Sequence, residues 1–324
     1  MASWTVEKCP QKYDEYRFRL DANHLEKIRT ELNETDENRE QSLARMREWI
    51  AKHPHIRKCR TDALFLLRFL RMRKFSVPLA QESLERYLAV RQSFPQWFKN
   101  LDPLDKEIRD FNAAGMLIDL GRDSRGRTVI LLQARVFNPD RFTVTHQIRQ
   151  VMLLLESTLD REETQINGYV VICDYREVSL KQFVVWSITD ASNTAKCIFQ
   201  SLPVRIQEIH AIGVPKFISF VTDLVLSSMS EKIRSRVFCH KSLDEAKKHL
   251  DLSILTTDYE GGSQNPEHLK QDFIKEAEVR RTELLLMDEM GIDISHCRNL
   301  EQQNNGLSEI DSGLVGSFKK LNVD

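Results

Sequence analysis

The sequence predicts an α/β protein: an all-helical N-terminal domain followed by a domain in which a mostly parallel sheet is interleaved with helices. Three observations carry that expectation. Up to about residue 100 the apolar residues recur at helical spacing, without the alternation of a strand. From Gly115 onward, short β-rich runs take turns with helical ones, as in sheets crossed by helices. The chain has 324 residues, 41% of them hydrophobic, which suffices for one large domain and a smaller one with real cores. With only 11 Gly and 9 Pro, collagen-like and low-complexity classes are excluded.

Taken in order, Leu20–Leu32 is charged and amphipathic, and Arg39–Lys52 repeats Leu43, Met46 and Ile50 at helical spacing. Asp62 is placed to cap the run ALFLLRFLRMRKF, and Pro78 opens a further helix, LAQESLERYLAVRQSF. MLIDLGR and TVILLQARV flank Asp123-Ser124-Arg125-Gly126, a turn signal for a hairpin-like connection. A helix over Val144–Arg161 carries Ile148, Val151, Met152 and Leu155 on one face and precedes the strand GYVVICDY at 168–175. A long helical stretch, Leu180 to Gln200, leads to a strand over Arg205–Ile212 that closes at Gly213-Val214-Pro215. Lys216–Met229 reads as an amphipathic helix with Phe217, Val221, Leu224 and Val225 in register. A strand at Arg236–Cys239 and a helix at Leu243–Leu250 follow, and the polar end around Gln302–Asn305, Gly306, Ser308 and Ser312 predicts a loosely ordered tail. The organisation expected is therefore a helical domain over 1–100, an α/β domain over 101–275, and a C-terminal helix with a polar tail over 276–324.

Several classes of function lack support. The 47 Lys and Arg balance 48 Asp and Glu, a net charge of −1 with pI near 6.8, so the chain as a whole is no polyanion binder. The opening MASWTVEKCPQKYDEYRF lacks the basic-then-apolar pattern of a secretory signal, and a cytoplasmic location is expected. Cys9, Cys59, Cys173, Cys197, Cys239 and Cys297 are scattered without CxxC pairs, which argues for reduced thiols. No run reaches the roughly 18 uncharged apolar residues of a membrane span. Dinucleotide, P-loop and nucleophile-elbow motifs are missing, so no enzyme is expected. Asp174, at the carboxyl end of a strand, is a candidate acid or ligand but reads first as a turn carboxylate. His53 and His55 near Cys59 lack a fourth metal ligand, and His210 has the setting of a hydrogen-bonded core histidine.

Charge and apolar surface remain. Arg57, Lys58, Arg60, Arg68, Arg71, Arg73 and Lys74 face a single acid, Asp62, in one run; Lys232, Arg234, Arg236 and Lys241 form another. Brought together, with Arg205 and Lys216 nearby in sequence, they would suit phosphate groups. Nucleic acid is disfavoured because no helix-turn-helix, RNP aromatic motif or zinc finger is present. The apolar helix over 217–229, ending in basic SEKIRSR, has the composition of an interfacial membrane contact, although burial against the sheet explains its pattern as well.

The segments SLPVRIQEIHAIGVPKF (201–217) and SEKIRSRVFCH (230–240) resemble the signature of the CRAL-TRIO (Sec14-like) lipid-transfer family, in the subgroup of α-tocopherol transfer protein, cellular retinaldehyde-binding protein and clavesin. DALFLLRFLRMRKFSV (62–77) resembles the family's N-terminal helical domain and NGYVVICDYREV (167–178) its central strand, so the likeness runs from about residue 20 to 275. One departure is visible: the usual Glu-Tyr-Gly-Gly appears as Asp258-Tyr259-Glu260-Gly261-Gly262, with an extra acid. The resemblance implies a CRAL-TRIO lipid-binding domain closed by a movable helical gate. Its cavity wall would comprise Ile148, Val151, Leu155, Tyr169, Val171, Cys173, Cys197, Ile198, Leu202, Val204, Ile209 and Val225. The gate and its membrane-facing positions would be Phe217, Val221 and Leu224, with Leu180 and Val184 beside them. Arg73, Arg205, Lys232 and Arg236 match the residues by which the tocopherol-binding relative grips phosphoinositide headgroups. Val151 and Leu155 stand where that relative has hydroxyl residues, so this wall is more apolar.

The resemblance thus implies a carrier that holds a retinoid, tocopherol or similar lipid and releases it at phosphoinositide-containing membranes, endosomal ones among them. No cofactor is implied beyond the hydrophobic ligand, and a monomer is expected. The alternative is a phosphoinositide-binding adaptor in endosomal traffic whose cavity lipid is structural.

Overall fold

The computed structural model describes residues 5–296; Cys297 and the tail expected around 302–312 lie outside the described residues. Helices α1 (Ala22–Leu32) and α2 (Asp36–Lys52) begin where Asp21 and Thr35 accept the backbone N–H of His24 and Asn38. After a short strand, β1 (Ile56–Lys58), come α3 (Ala63–Met72), capped by Asp62 through Phe65 N–H, and α4 (Val77–Ser93), with Pro78 in its first turn. The one-turn α5 (Pro95–Phe98) and α6 (Lys106–Ala114) complete this part.

β2 (Leu117–Arg122) and β3 (Thr128–Gln133) pair antiparallel across the Asp123–Gly126 turn, as expected. Then α7 (Val144–Thr158) and α8 (Glu162–Asn167) lead to β4 (Tyr169–Asp174). α9 (Leu180–Phe183), α10 (Ile188–Lys196) and a π-helical turn over Cys197–Ser201 lead to β5 (Ile206–Ile212). A 3-10 turn at Lys216–Ile218, α11 (Ser219–Ser227) and α12 (Glu231–Arg234) lead to β6 (Val237–His240). The five strands lie in the order β2-β3-β4-β5-β6, with β3 through β6 parallel. α13 (Leu243–Ala246), α14 (Pro266–Val279) and α15 (Arg281–Leu286) follow, and β7 (Gly291–Ile292) returns to pair with β1.

Four expected elements differ in detail. The helix over 180–200 is broken, because Ser187 caps a new start through Asp190 N–H, and its end loosens into the π turn, where Leu202 N–H reaches Cys197 O ahead of Pro203. The helix over 144–161 stops at Thr158, and Asp160, just beyond it, is held by Arg60, Arg68 and Arg280. The helix over 216–229 is regular only from Ser219, since Pro215 sets a 3-10 turn through Ile218 N–H. The helix over 243–250 is regular only to Ala246. The division expected at 275/276 falls inside α14, which Asn265 caps and which runs without a break to Val279.

The sheet is covered on both faces. Val129, Leu131, Val170, Ile172 and Ile212 pack against Leu243, Ala246, Leu255 and Tyr259 from the segment after β6. The opposite face joins a large cluster that runs without interruption into Phe65, Leu66, Phe69, Leu84 and Leu88 of the N-terminal helices. The two parts of the chain therefore share one core. They also share buried ions: Arg68 and Arg91 meet Glu156, Arg60 and Arg68 meet Asp160, and Arg71 meets Glu34 and Glu162. This corrects the reading of 57–74 as a basic surface. Arg60, Arg68 and Arg71 turn inward, and Arg57 and Lys58 pair with Asp293 and Glu289.

Candidate functional site

The parallel register decides which side chains share the inner face of the sheet. Val171 lies beside Ile130 and Ile209, and Cys173 beside Leu132 and Ala211; Val237 and Cys239 extend the two rows on β6. Val171 and Cys173 keep accessible surface in the middle of the sheet, as do Val151 on α7, Ile198 in the π turn and Val225 on α11. Cys173 is nevertheless enclosed by protein, and that burial pushes its thiol up to about 12. All the expected wall residues except Cys173 belong to, or pack on, the large apolar cluster. Leu155, Leu202, Val204 and Ile209 show a small remainder of surface, whereas Ile148, Tyr169 and Cys197 show about 1% each. These last three are packed into the core, and the Tyr169 hydroxyl lies 2.8 Å from that of Thr158.

The covering helix is α11. Leu180, Val184 and Phe217 are 46%, 54% and 43% exposed, and an edge contact between Phe183 and Phe217 at 5.8 Å joins α9 to the start of the cover. Val221 and Leu224 are half-exposed and stay outside the core cluster, while Val225 and Leu226 pack against it. One direct side-chain tether reaches its end: Gln200 Nε2 donates to Ser228 O at 3.0 Å.

Beside the cover stands a group of cations. Arg205 precedes β5 at a bulge, where the register slips between Tyr169 and Val170. Its main chain approaches β4 closely: Tyr169 N–H meets Arg205 O, and a Cβ on Gly168, whose φ is +78°, would lie 2.4 Å from that oxygen. Arg205 donates to the carbonyls of Gln165 and Ile166, and Arg236 to that of Ile206. Among the described residues none of Lys74, Arg205, Lys232 and Arg236 has an acid within 4.0 Å. Burial holds Arg205 down to about 10, with Glu31 opposing and Arg236 and Arg71 adding to the effect. Burial also lowers Lys232, together with the charges of Arg236, Lys74 and Arg205. Arg205, Lys232 and Arg236 are thus brought together. The fourth expected cation, Arg73, donates from Nε to Ser83 Oγ at 2.7 Å, and Arg86 and Glu82 are its charged neighbours.

The other candidates have structural employment. Asp174 is fully buried and takes hydrogen bonds from Arg176 and from Tyr259 at 2.8 Å; burial opposes its ionisation, but these partners hold the carboxyl below its ordinary value. His210 Nδ1 meets His240 Nε2 at 3.0 Å on the sheet face opposite Ile209 and Ala211. His53 accepts from the N–H groups of His55 and Ile56 in a turn. The extra acid of the 258–262 turn is absorbed without distortion, since Glu260 is exposed near Lys247. Gly262 fits where a Cβ would come within 2.0 Å of Thr256 O.

Comparison with known proteins gives the same architecture a place. A family model described as CRAL/TRIO domain matches residues 112–261, and one described as Pinta-like, UBA domain matches 35–108. The alpha-tocopherol transfer protein-like protein of Homo sapiens is 33% identical over 249 residues, covering 76% of this chain and 72% of the relative. The chain belongs to the CRAL-TRIO family. Clavesin-2 of Homo sapiens is 30% identical over 244 residues, 75% of each chain, and clavesin-1 of Xenopus laevis 32% identical over 224 residues, 68% of this chain and 67% of the relative. The solved structure of Sfh5 overlays 78% of this chain and 92% of its own at 15% identity, with a TM-score of 0.44.

Within this CRAL-TRIO chain, sequence reasoning passed over Leu132, Ala211 and Val237, which share the inner sheet face. It also left the arginines of the 57–74 run without distinguishing buried from exposed ones. The first group was readable from strand alternation once the register was known. The arginines had no signal of their own, because only the fold shows that Arg60, Arg68 and Arg71 are used up inside.

Proposed function

We propose that this chain encloses a hydrophobic small molecule, a retinoid, a tocopherol or a similar lipid, and carries it between membranes, with phosphoinositide at the cation cluster promoting release. The observation that carries this reading is the apolar wall with enclosed surface, covered by a helix whose neighbours expose Leu180, Val184 and Phe217 beside cations without acids. A ligand burying about 400 Å² of apolar surface gains on the order of 10 kcal/mol before the cost of ordering it. Spontaneous escape into water is then slow, and release needs a trigger. At a membrane, contacts of Phe217 and its neighbours with lipid, and of the cations with phosphate, are made in the open form and shift the population towards it. On this reading attachment is peripheral and reversible, made by side chains of the gate and the cation cluster; among the described residues no helix is long and apolar enough to cross a membrane. The role is carriage, with no chemistry assigned to Asp174 or His210, both of which are taken up by structural partners.

The test is transfer of a fluorescent lipid between vesicles. Lys232→Glu with Arg236→Glu is expected to remove the stimulation by phosphoinositide in the acceptor while loading of the lipid is unchanged. Loss of loading and stimulation together would overturn the separation of the two sites. A cavity lipid that never exchanges would point to the adaptor.

A further inference from the structure

We propose that the open edge of β6 is a docking site for an extended acidic segment of a partner protein, which joins the sheet there as a sixth strand. Docking at this edge is independent of lipid carriage and is measured without lipid.

The ladder between β5 and β6 shows which main-chain groups the edge offers. Ile209 N–H bonds to Arg236 O, and Gly213 N–H to His240 O. Bonding in a parallel pair alternates along each strand, so Arg236, Phe238 and His240 turn their main-chain groups towards β5. The N–H and C=O groups of Val237 and Cys239 therefore point away from the sheet. Among the described residues no strand pairs with that side of β6, and no hydrogen bond reaches those four groups. The other edge of the sheet is closed: Gln264 Nε2 donates to Leu120 O of β2 at 2.9 Å, and α14 packs on that strand.

The side chains suit an added strand. Phe238 and Cys239 are exposed and Val237 is half-buried, so an incoming segment meets apolar surface on both faces of the edge. No Pro, Gly or charged residue interrupts Val237–His240, and an edge without such protection is a template for another strand. Its four residues span about 13 Å, room for a partner segment of about four to six residues. Cations stand at the two ends: Arg234 and Arg236 before the strand, Lys241 after it, none with an ion pair among the described residues. The one acid of residues 230–241 is Glu231, at the start of α12. Beyond the strand, Glu245 is taken by the Lys241 N–H at 2.7 Å, and Asp244 pairs with Lys247 at 2.9 Å.

These charges choose the occupant. Two copies of this chain pairing antiparallel through β6 would bring the Arg234–Arg236 end of each against Lys241 of the other, gathering like charges at both ends. An acidic strand meets the opposite sign at each end instead. Main-chain bonds to Val237 and Cys239 then supply affinity, and the flanking cations supply the preference for acids.

The experiment is fluorescence anisotropy of a labelled decapeptide in which Glu alternates with Val, titrated with the full chain. The peptide is expected to bind, and its counterpart with Lys in place of Glu to bind at least about tenfold more weakly. A chain that binds neither peptide would overturn the site. Two further peptides carry N-methyl groups on alternate residues, one on the Glu positions and one on the Val positions. A strand added to β6 turns one set of N–H groups to Val237 and Cys239 and the other to water. One methylated peptide is therefore expected to lose about tenfold in affinity while the other binds nearly as the parent does. Equal effects of the two would overturn strand addition. Cys239→Pro deletes an outward N–H without removing a bond to β5, and is expected to weaken the parent peptide about fivefold. Unchanged binding by that variant, with thermal melting like wild type, would overturn docking at β6; the methylated peptides, which leave the protein untouched, decide if it does not fold. Arg234→Glu with Lys241→Glu is expected to invert the preference, and a retained preference for Glu would overturn the acidic partner. Sedimentation velocity tests the rival occupant: a wild-type dimer that Cys239→Pro dissociates would give the edge to a second copy and overturn the proposal.

Discussion

Glu156 shows how much of this protein rests on single residues at the junction of its two parts. It is fully buried on α7 and accepts hydrogen bonds from Arg68 at 2.8 Å, Arg91 at 2.8 Å and Tyr87 at 2.6 Å. Burial alone would raise its carboxyl, but Arg91 and Arg68 outweigh that and hold it below the ordinary value. Removing one member of such a buried set leaves the others charged and unpartnered, at a cost of about 3–5 kcal/mol. Glu156→Ala is therefore expected to lower the urea midpoint of unfolding by that equivalent, whereas removing an exposed pair such as Lys52 with Glu48 changes it by less than about 1 kcal/mol. The sequence showed the arginines but not their fate. Helical spacing reports only how a residue sits on its own helix; whether Arg68 meets solvent or Glu156, far along the chain, is decided by which elements pack together.

At the scale of elements, β6 is the short edge strand that anchors the segment bearing Lys232 and Arg236. It is held by Ile209 N–H to Arg236 O and Gly213 N–H to His240 O, and by the stacked rings of His210, Phe238, His240 and His249. Burial lowers His210 and His240 from the ordinary 6.5, their mutual charge and that of His249 add to it, and Glu208 and Glu245 oppose it. The fold therefore prefers neutral rings, and the unfolded segment takes up protons first. The stabilisation is complete above 6.5 and is lost as pH falls through the lower folded values. Amide exchange at Gly213, corrected for the intrinsic rate, is expected to quicken between about pH 7.5 and about pH 5.5, with a smaller change in His240→Asn. Equal protection at both pH values would show that the ring stack does not hold the edge. The strand itself was legible within one residue from its short β-rich run; the ring stack was not, because it joins β5, β6 and the turn after α13.

For the whole molecule, one apolar cluster and one set of buried ions span the helical part and the CRAL-TRIO domain. Unfolding is expected as a single transition in which circular dichroism and tryptophan fluorescence coincide, and a fragment lacking residues before about 100 is expected to be insoluble, because Glu156 and Asp160 lose their buried arginine partners. Two separated transitions would contradict this. The order of elements, the helical-then-α/β division and the family likeness were all determined by the sequence itself, since periodicity, caps such as Asp62 and turn residues such as Gly126 act over a few neighbours. The amphipathic helix over 216–229 was legible for the same reason, whereas Leu180, Val184 and Phe217 as gate positions came from the family resemblance. Tertiary structure alone decided which of the apolar residues expected at the wall keep accessible surface and which are fully packed, and which cations of the 57–74 run are paired inside. Those outcomes depend on strand register and on contacts between distant segments, where burial and the pairing of charge are settled by the fold as a whole.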